Sequence, residues 1–154
     1  RPMDNIDMQI VNRYIPQKDF LFFLGNTDPK KNTARVLKAY SLYLEKSSVR
    51  RPLLIADLNE TYIDRLLQQE NISNRLKRHL FYPGYIHNAD LATLYNAAFA
   101  FLYPSLRESF GIPLVEAMAY GKHLFHARNR RSGHTCRRPL SAGRNSRCSA
   151  ASRK

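Results

Sequence analysis

Two glutamates, Glu108 and Glu116, are separated by seven residues in the stretch from Pro104 to Gly121. An apolar strand pattern ends just before this stretch, and an apolar helical pattern runs from about Ile112 to Tyr120. Pro113 sits early in that helix, where its missing N–H costs nothing. Gly111 precedes it and leaves bare backbone. A helix start with open amide groups attracts a phosphate or diphosphate. Eight residues of helix cover ~12 Å, so the two carboxylates bracket that anion site. A carboxylate accepts paired hydrogen bonds from neighbouring hydroxyls, which suits a sugar on one side and a ribose on the other. The spacing alone also fits an ordinary surface pair on an amphipathic helix.

Two further loops carry candidate chemistry. Gly25 ends an apolar run, where a phosphate can come close, and Lys31 stands immediately before the next helix. Basic residues oppose the dipole at a helix start, so Lys31 and Lys30 there favour a role with an anion over a purely structural one. Gly84 is followed by Tyr85 and Ile86, a pair suited to form a shelf for a flat base. A plain strand-to-helix turn capped by Asp90 accounts for the same residues. His123, His126 and His134 with Cys136 match no common zinc spacing, and no metal site is expected.

The elements that position these loops are legible as apolar runs. Phe20 to Leu24, Pro52 to Ala56, His79 to Tyr82 and Ala98 to Tyr103 read as buried strands, and His123 to His126 as a shorter fifth. Pro83 and Gly84 close the third. Helices fall between them: one capped by Asn32 or Thr33 with Val36, Leu37, Tyr40, Leu42 and Leu44 as apolar positions, one over Glu60 to Gln69, and one begun by Asp90. Ile6 to Tyr14 reads as a short amphipathic lead-in. There is no internal repeat. Strands alternating with helices predict an α/β fold, an open parallel sheet with helices on both faces. Ligands in such sheets bind beyond the carboxyl ends of the strands, where all three candidate loops lie.

The whole segment resembles the glutamate–seven residues–glutamate motif of glycosyltransferase family 4, group 1. The agreement extends from Glu108 and Glu116 to Pro104, Ser105, Gly111, Pro113, Ala117, Met118, Ala119 and Gly121. Gly25, Pro29, Lys30, Lys31 and Asn32 fit a second family pattern, although Asn26 stands where many members carry Arg. The resemblance implies the Rossmann-like C-terminal half of a GT-B enzyme. It implies a retaining glycosyltransferase that moves a sugar from a nucleotide sugar to a saccharide or lipid-linked acceptor. It places Glu108 by the donor sugar as the catalytic residue and Glu116 on the ribose. It places Lys31 on the diphosphate, and Ser109, Phe110, Gly111 and Ile112 along the sugar and diphosphate. Gly25 lines the same site, and Tyr85 and Ile86 face the base. It further implies that no cofactor or metal is needed and that the partners are the nucleotide-sugar donor and an acceptor-binding N-terminal domain. The expected location is cytoplasmic, with peripheral contact at the inner face of the membrane left open.

Composition sets the remaining bounds. The chain has 154 residues and a formal net charge of +13, which invites a nucleic-acid reading. Yet all 12 acidic residues lie before position 123, and the segment after it carries nine basic residues and no acid. The excess charge therefore belongs to the tail, and no specific nucleic-acid partner is expected. From Arg128 the sequence has neither strand nor helix periodicity, and family resemblance stops near Lys122. Residues 1–19 read as lead-in, 20–127 as the partial nucleotide-sugar domain, incomplete at its C-terminus, and 128–154 as an irregular basic tail. The tail reads as an out-of-frame translation. The opening at Arg1 reads as a cut from a longer chain, and the fragment is expected to bind donor without turnover. Two other classes stay open: the nucleotide-binding domain of a sugar epimerase-like enzyme, and a non-enzymatic module whose tail binds nucleic acid or anionic membrane.

Overall fold

A computed structural model describes residues 6–105, 119–121 and 123–126. Five strands form one parallel sheet: β1 (Leu21–Leu24), β2 (Leu53–Ala56), β3 (Leu80–Gly84), β4 (Ala100–Tyr103) and β5 (His123–His126), in the order β3-β2-β1-β4-β5. The helices are α1 (Met8–Asn12), α2 (Thr33–Lys46), α3 (Glu60–Gln69) and α4 (Asn88–Ala97), with short 3-10 turns at Pro29–Lys31 and Asn74–His79. The open parallel α/β sheet expected from the sequence is therefore present.

The strands are apolar throughout because both of their faces are covered. Leu21, Phe23, Leu53 and Ile55 point to a core shared with Val36, Leu37 and Tyr40 of α2 and Ile63 and Leu67 of α3. Phe20, Phe22, Leu54, Ala56 and Phe101 point the other way, to Val11 and Ile15 near α1 and Leu94 and Tyr95 of α4. Side chains alternate along a strand, so two buried faces leave no place for a polar residue. The division of helices follows from strand order. The chain steps outward from β1 through β2 to β3, then returns past β1 to β4. With crossovers of one hand, a reversed direction puts the connecting helix on the opposite face.

Four local expectations need correction. Leu42 is 52% exposed, because it lies ~200° around the helix from Tyr40 and so falls outside the buried stripe. Pro83 and Gly84 do not close β3 but belong to it. The strand is at the sheet edge, where a residue without an N–H is tolerated. Asn32 occupies the cap position of α2 in a left-handed conformation, φ 60°, without a side-chain capping bond. Asp90 does not cap α4. The helix begins at Asn88 with His87 at the cap, and Asp90 is buried in the first turn.

Tyr40 shows how the sheet's amino edge is closed. Its hydroxyl donates to the carbonyls of Arg51, at 2.8 Å, and His79, at 3.2 Å. Burial and then the nearby Tyr43 push its ionisation far above the usual phenol range, so it stays a neutral donor. Lys77 holds the outer end of α3 through Glu60 at 2.6 Å and Asp64 at 2.8 Å.

Candidate functional site at the carboxyl edge of the sheet

β1 and β4 are neighbours, yet the loops that leave them run in opposite directions, one towards α2 and β2 and the other towards β5. This is the topological switch point, where an open α/β sheet forms a crevice for a ligand. The described residues leave a gap of about 10 Å³ there, lined by Lys31 with Leu24, Tyr103, Pro104 and Ser105. The two loops are stitched together. Asn32 Nδ2 donates to the Pro104 carbonyl at 3.3 Å, and Ser105 Oγ donates to the Lys30 carbonyl at 3.4 Å. Asn32 therefore bridges the loops with the side chain that would otherwise cap its helix.

The loop after β1 is built from its own side chains. Asn26 Oδ1 accepts from the Asp28 amide at 2.8 Å, and Asp28 Oδ1 accepts from the Lys30 amide at 2.9 Å. Thr33 Oγ1 donates to the Asn26 carbonyl at 3.3 Å. These turns place Lys31 at the end of the 3-10 turn, two residues before α2, where it shares a gap with Leu24 of β1. Asn26 serves the loop's own folding and adds no second positive charge there. Gly25 has a packing reason to be glycine: a Cβ would stand 3.2 Å from the Ala56 carbonyl oxygen, Ile55 Cγ2 and Leu58 Cδ1.

The loop after β3 presents Tyr85 and Ile86 differently. Tyr85 is 65% exposed, whereas Ile86 is 4% exposed and belongs to the core under α4. Only Tyr85 offers a side-chain surface, with its ring edge-on to His87 at 5.4 Å. Gly84 has φ +85°, and its carbonyl accepts from the Asp57 amide at 2.7 Å. Among the described residues a Cβ there would meet nothing within 4 Å, so the demand that they place on Gly84 is conformational. Gly84→Ala is expected to cost about 1–2 kcal/mol, read as a lower urea midpoint, with Gly84→Asn costing less. An Ala variant as stable as the wild type would show that this turn does not hold its left-handed form.

Among the site residues expected from sequence, the structure brings Gly25 and Lys31 to the switch point and places Tyr85 and Ile86 on the loop after β3, two strands away along the same carboxyl edge. Glu108, Ser109, Phe110, Gly111, Ile112 and Glu116 lie outside the described residues. The sequence reading missed the bridging roles of Asn32 and Ser105. Their positions beside Lys31 and Pro104 were visible, but their meeting depends on β4 lying next to β1. Among the described residues, no cluster of His, Cys, Asp and Glu is able to hold a metal ion. No helix of the described residues is long and apolar enough to cross a membrane.

A parallel sheet whose switch point carries a lysine at a helix start defines a doubly wound α/β domain of the ligand-binding kind. Comparison with known proteins narrows the class. The family model described as "Glycosyl transferases group 1" matches residues 7–129, and the chain belongs to that family. It is 32% identical over 115 residues to O-antigen chain mannosyltransferase B of Escherichia coli, covering 74% of this chain and 30% of that protein. It is 28% identical over 126 residues to the O-antigen chain mannosyltransferase RfbU of Salmonella typhimurium, covering 76% and 34%. The chain thus spans about a third of the length of these relatives. Two solved structures share the fold. WaaG, a glycosyltransferase of lipopolysaccharide biosynthesis, aligns with a TM-score of 0.61 at 18% identity, covering 80% of this chain and 33% of its own. The C-terminal domain of a group 1 family protein, LpcC, from Francisella tularensis aligns with a TM-score of 0.60 at 21% identity, covering 81% and 66%.

Proposed function

We propose that this chain is the donor-binding part of a retaining glycosyltransferase, which takes a hexosyl group from a nucleotide sugar to a saccharide or lipid-linked acceptor. The observation that carries the reading is the switch point itself, where Lys31 stands just before α2 and its neighbours Lys30 and Asn32 are bonded to the loop after β4. In the reaction, the bond between the sugar's anomeric carbon and the diphosphate oxygen breaks, and one to the acceptor oxygen forms on the same face. The acceptor hydroxyl gives up its proton to the departing diphosphate oxygen. The departing diphosphate gains negative charge. Lys31 and the backbone amides around Gly111 stabilise it in place of a metal ion. Glu108 stands by the donor sugar, Glu116 holds the ribose, and Ser109, Phe110 and Ile112 line the donor. The backbone at Tyr85 and Ile86 meets the base. The curated relatives named above are mannosyltransferases, which makes mannose the first sugar to test. An acceptor-binding N-terminal domain completes the cleft in the whole enzyme, which works in the cytoplasm.

Calorimetric titration of the full chain with UDP, GDP and their sugars tests this. At least one nucleoside diphosphate is expected to bind. Glu116→Ala is expected to weaken that binding about tenfold, the worth of a charge-assisted hydrogen bond pair. Unchanged affinity in the variant overturns the ribose assignment, and no binding to any of the ligands overturns the donor site.

A further inference from the structure

The turn between β3 and α4 has three anchors, and one of them comes from the far end of the sequence. The Gly84 carbonyl is held by the Asp57 amide, and Ile86 is sunk in the core. The third anchor is at His87, which occupies the cap of α4 but makes no side-chain capping bond. Tyr14, just after α1, donates its hydroxyl to Asp90 Oδ2 at 2.7 Å. The Asp90 amide in turn donates to the His87 carbonyl at 2.9 Å, which ties the carboxylate's residue to the cap of α4. Asp90 is 7% exposed, and the exposed Arg13 lies 3.6 Å from the same Oδ2. A buried carboxylate needs such donors. Tyr14 is itself fixed, because Val11 and Ile15 on either side of it are buried against Leu94 and Tyr95. Burial and then the bond to Asp90 raise its ionisation, so it remains a donor at neutral pH.

We infer that Tyr14, acting through Asp90 and the His87 backbone, is a positioning residue for the turn that presents Tyr85 to the nucleoside of the donor. The inference rests on the donor-site reading above and assigns a role to the segment that enters the domain. Loss of the hydroxyl frees the turn at one of its three anchors and leaves the diphosphate end at Lys31 untouched, since that end is built by other loops.

The test compares nucleoside diphosphate with inorganic pyrophosphate on the full chain. In Tyr14→Phe the preference for UDP or GDP over pyrophosphate is expected to fall about tenfold, while pyrophosphate affinity stays the same. Asp90→Ala should behave alike, and Asp90→Asn, which keeps an oxygen to accept the bond, should restore the preference. A wild-type chain with no preference over pyrophosphate overturns the nucleoside reading together with this inference. A preference that survives Tyr14→Phe and Asp90→Ala overturns the inference alone. Amide hydrogen exchange supplies a ligand-free readout. Exchange at Tyr85 to Asn88, divided by exchange at Leu53 to Ala56 in the same sample, should rise in Tyr14→Phe. The ratio cancels general destabilisation, and an unchanged ratio overturns the anchoring role.

Discussion

Lys31→Ala is expected to weaken nucleoside diphosphate binding about ten- to hundredfold while changing stability by no more than about 0.5 kcal/mol. The large effect follows from placement. Lys31 ends the 3-10 turn that leads into α2, two residues before that helix, at the switch point between β1 and β4. The helix amides there already favour an anion, and the ammonium group adds a full charge on the same side. The small structural effect follows from the loop, which is held by Asn26, Asp28, Asn32 and Thr33. Lys31→Arg should retain much of the binding, because charge matters more than shape at a diphosphate. Wild-type affinity should also fall with added salt, more steeply than that of the Ala variant. Equal affinities for wild type and Lys31→Ala in calorimetry would remove Lys31 from the donor site.

The largest stability effect is expected at Phe22. It lies on the central strand, fully buried, at the middle of an aromatic cluster. Its ring meets Phe20 at 6.2 Å, Tyr95 at 5.4 Å and Phe101 at 5.8 Å, each edge to face. Such contacts add to the burial of the ring itself. Phe22→Ala removes the ring from a site where strands on both sides prevent collapse, so about 3–5 kcal/mol should be lost. A domain holds about 5–15 kcal/mol in all, so the variant should show a much lower urea midpoint. Phe125 on β5 is the contrast. It is 58% exposed, and Phe125→Ala should stay within about 0.5 kcal/mol of wild type. Similar midpoints for the two variants would mean that the cluster around Phe22 does not carry the core.

Much of the fold was legible because its signals are local. The apolar runs at Phe20 to Leu24, Pro52 to Ala56 and Ala98 to Tyr103 became β1, β2 and β4, since only a strand covered on both faces tolerates an unbroken apolar run. The helix over Glu60 to Gln69 fell where expected, with Asn59 accepting from the Tyr62 amide at its start. Two of the errors came where a side chain had two possible partners. Asn32 and Asp90 are both good capping types, and sequence offered no reason to send them elsewhere. Asn32 turned to Pro104 and Asp90 to Tyr14, partners 72 and 76 residues away.

The sequence by itself determined the elements, the parallel α/β class and the residue types at each loop, because periodicity and turn chemistry act over a few residues. It also placed Gly25, Lys31, Tyr85 and Ile86 at the ends of strands, the positions from which a ligand is reached. The tertiary structure alone decided which loops share a crevice. β4 returns beside β1 rather than beside β3, and that brings Ser105 to Lys30 and Pro104 to Asn32. It also separated Tyr85 from Ile86, exposing one ring and burying the other side chain. The lead-in segment around Tyr14 became part of the β3–α4 turn in the same way. These outcomes rest on long-range burial and crossover direction, which no local stretch of chain encodes.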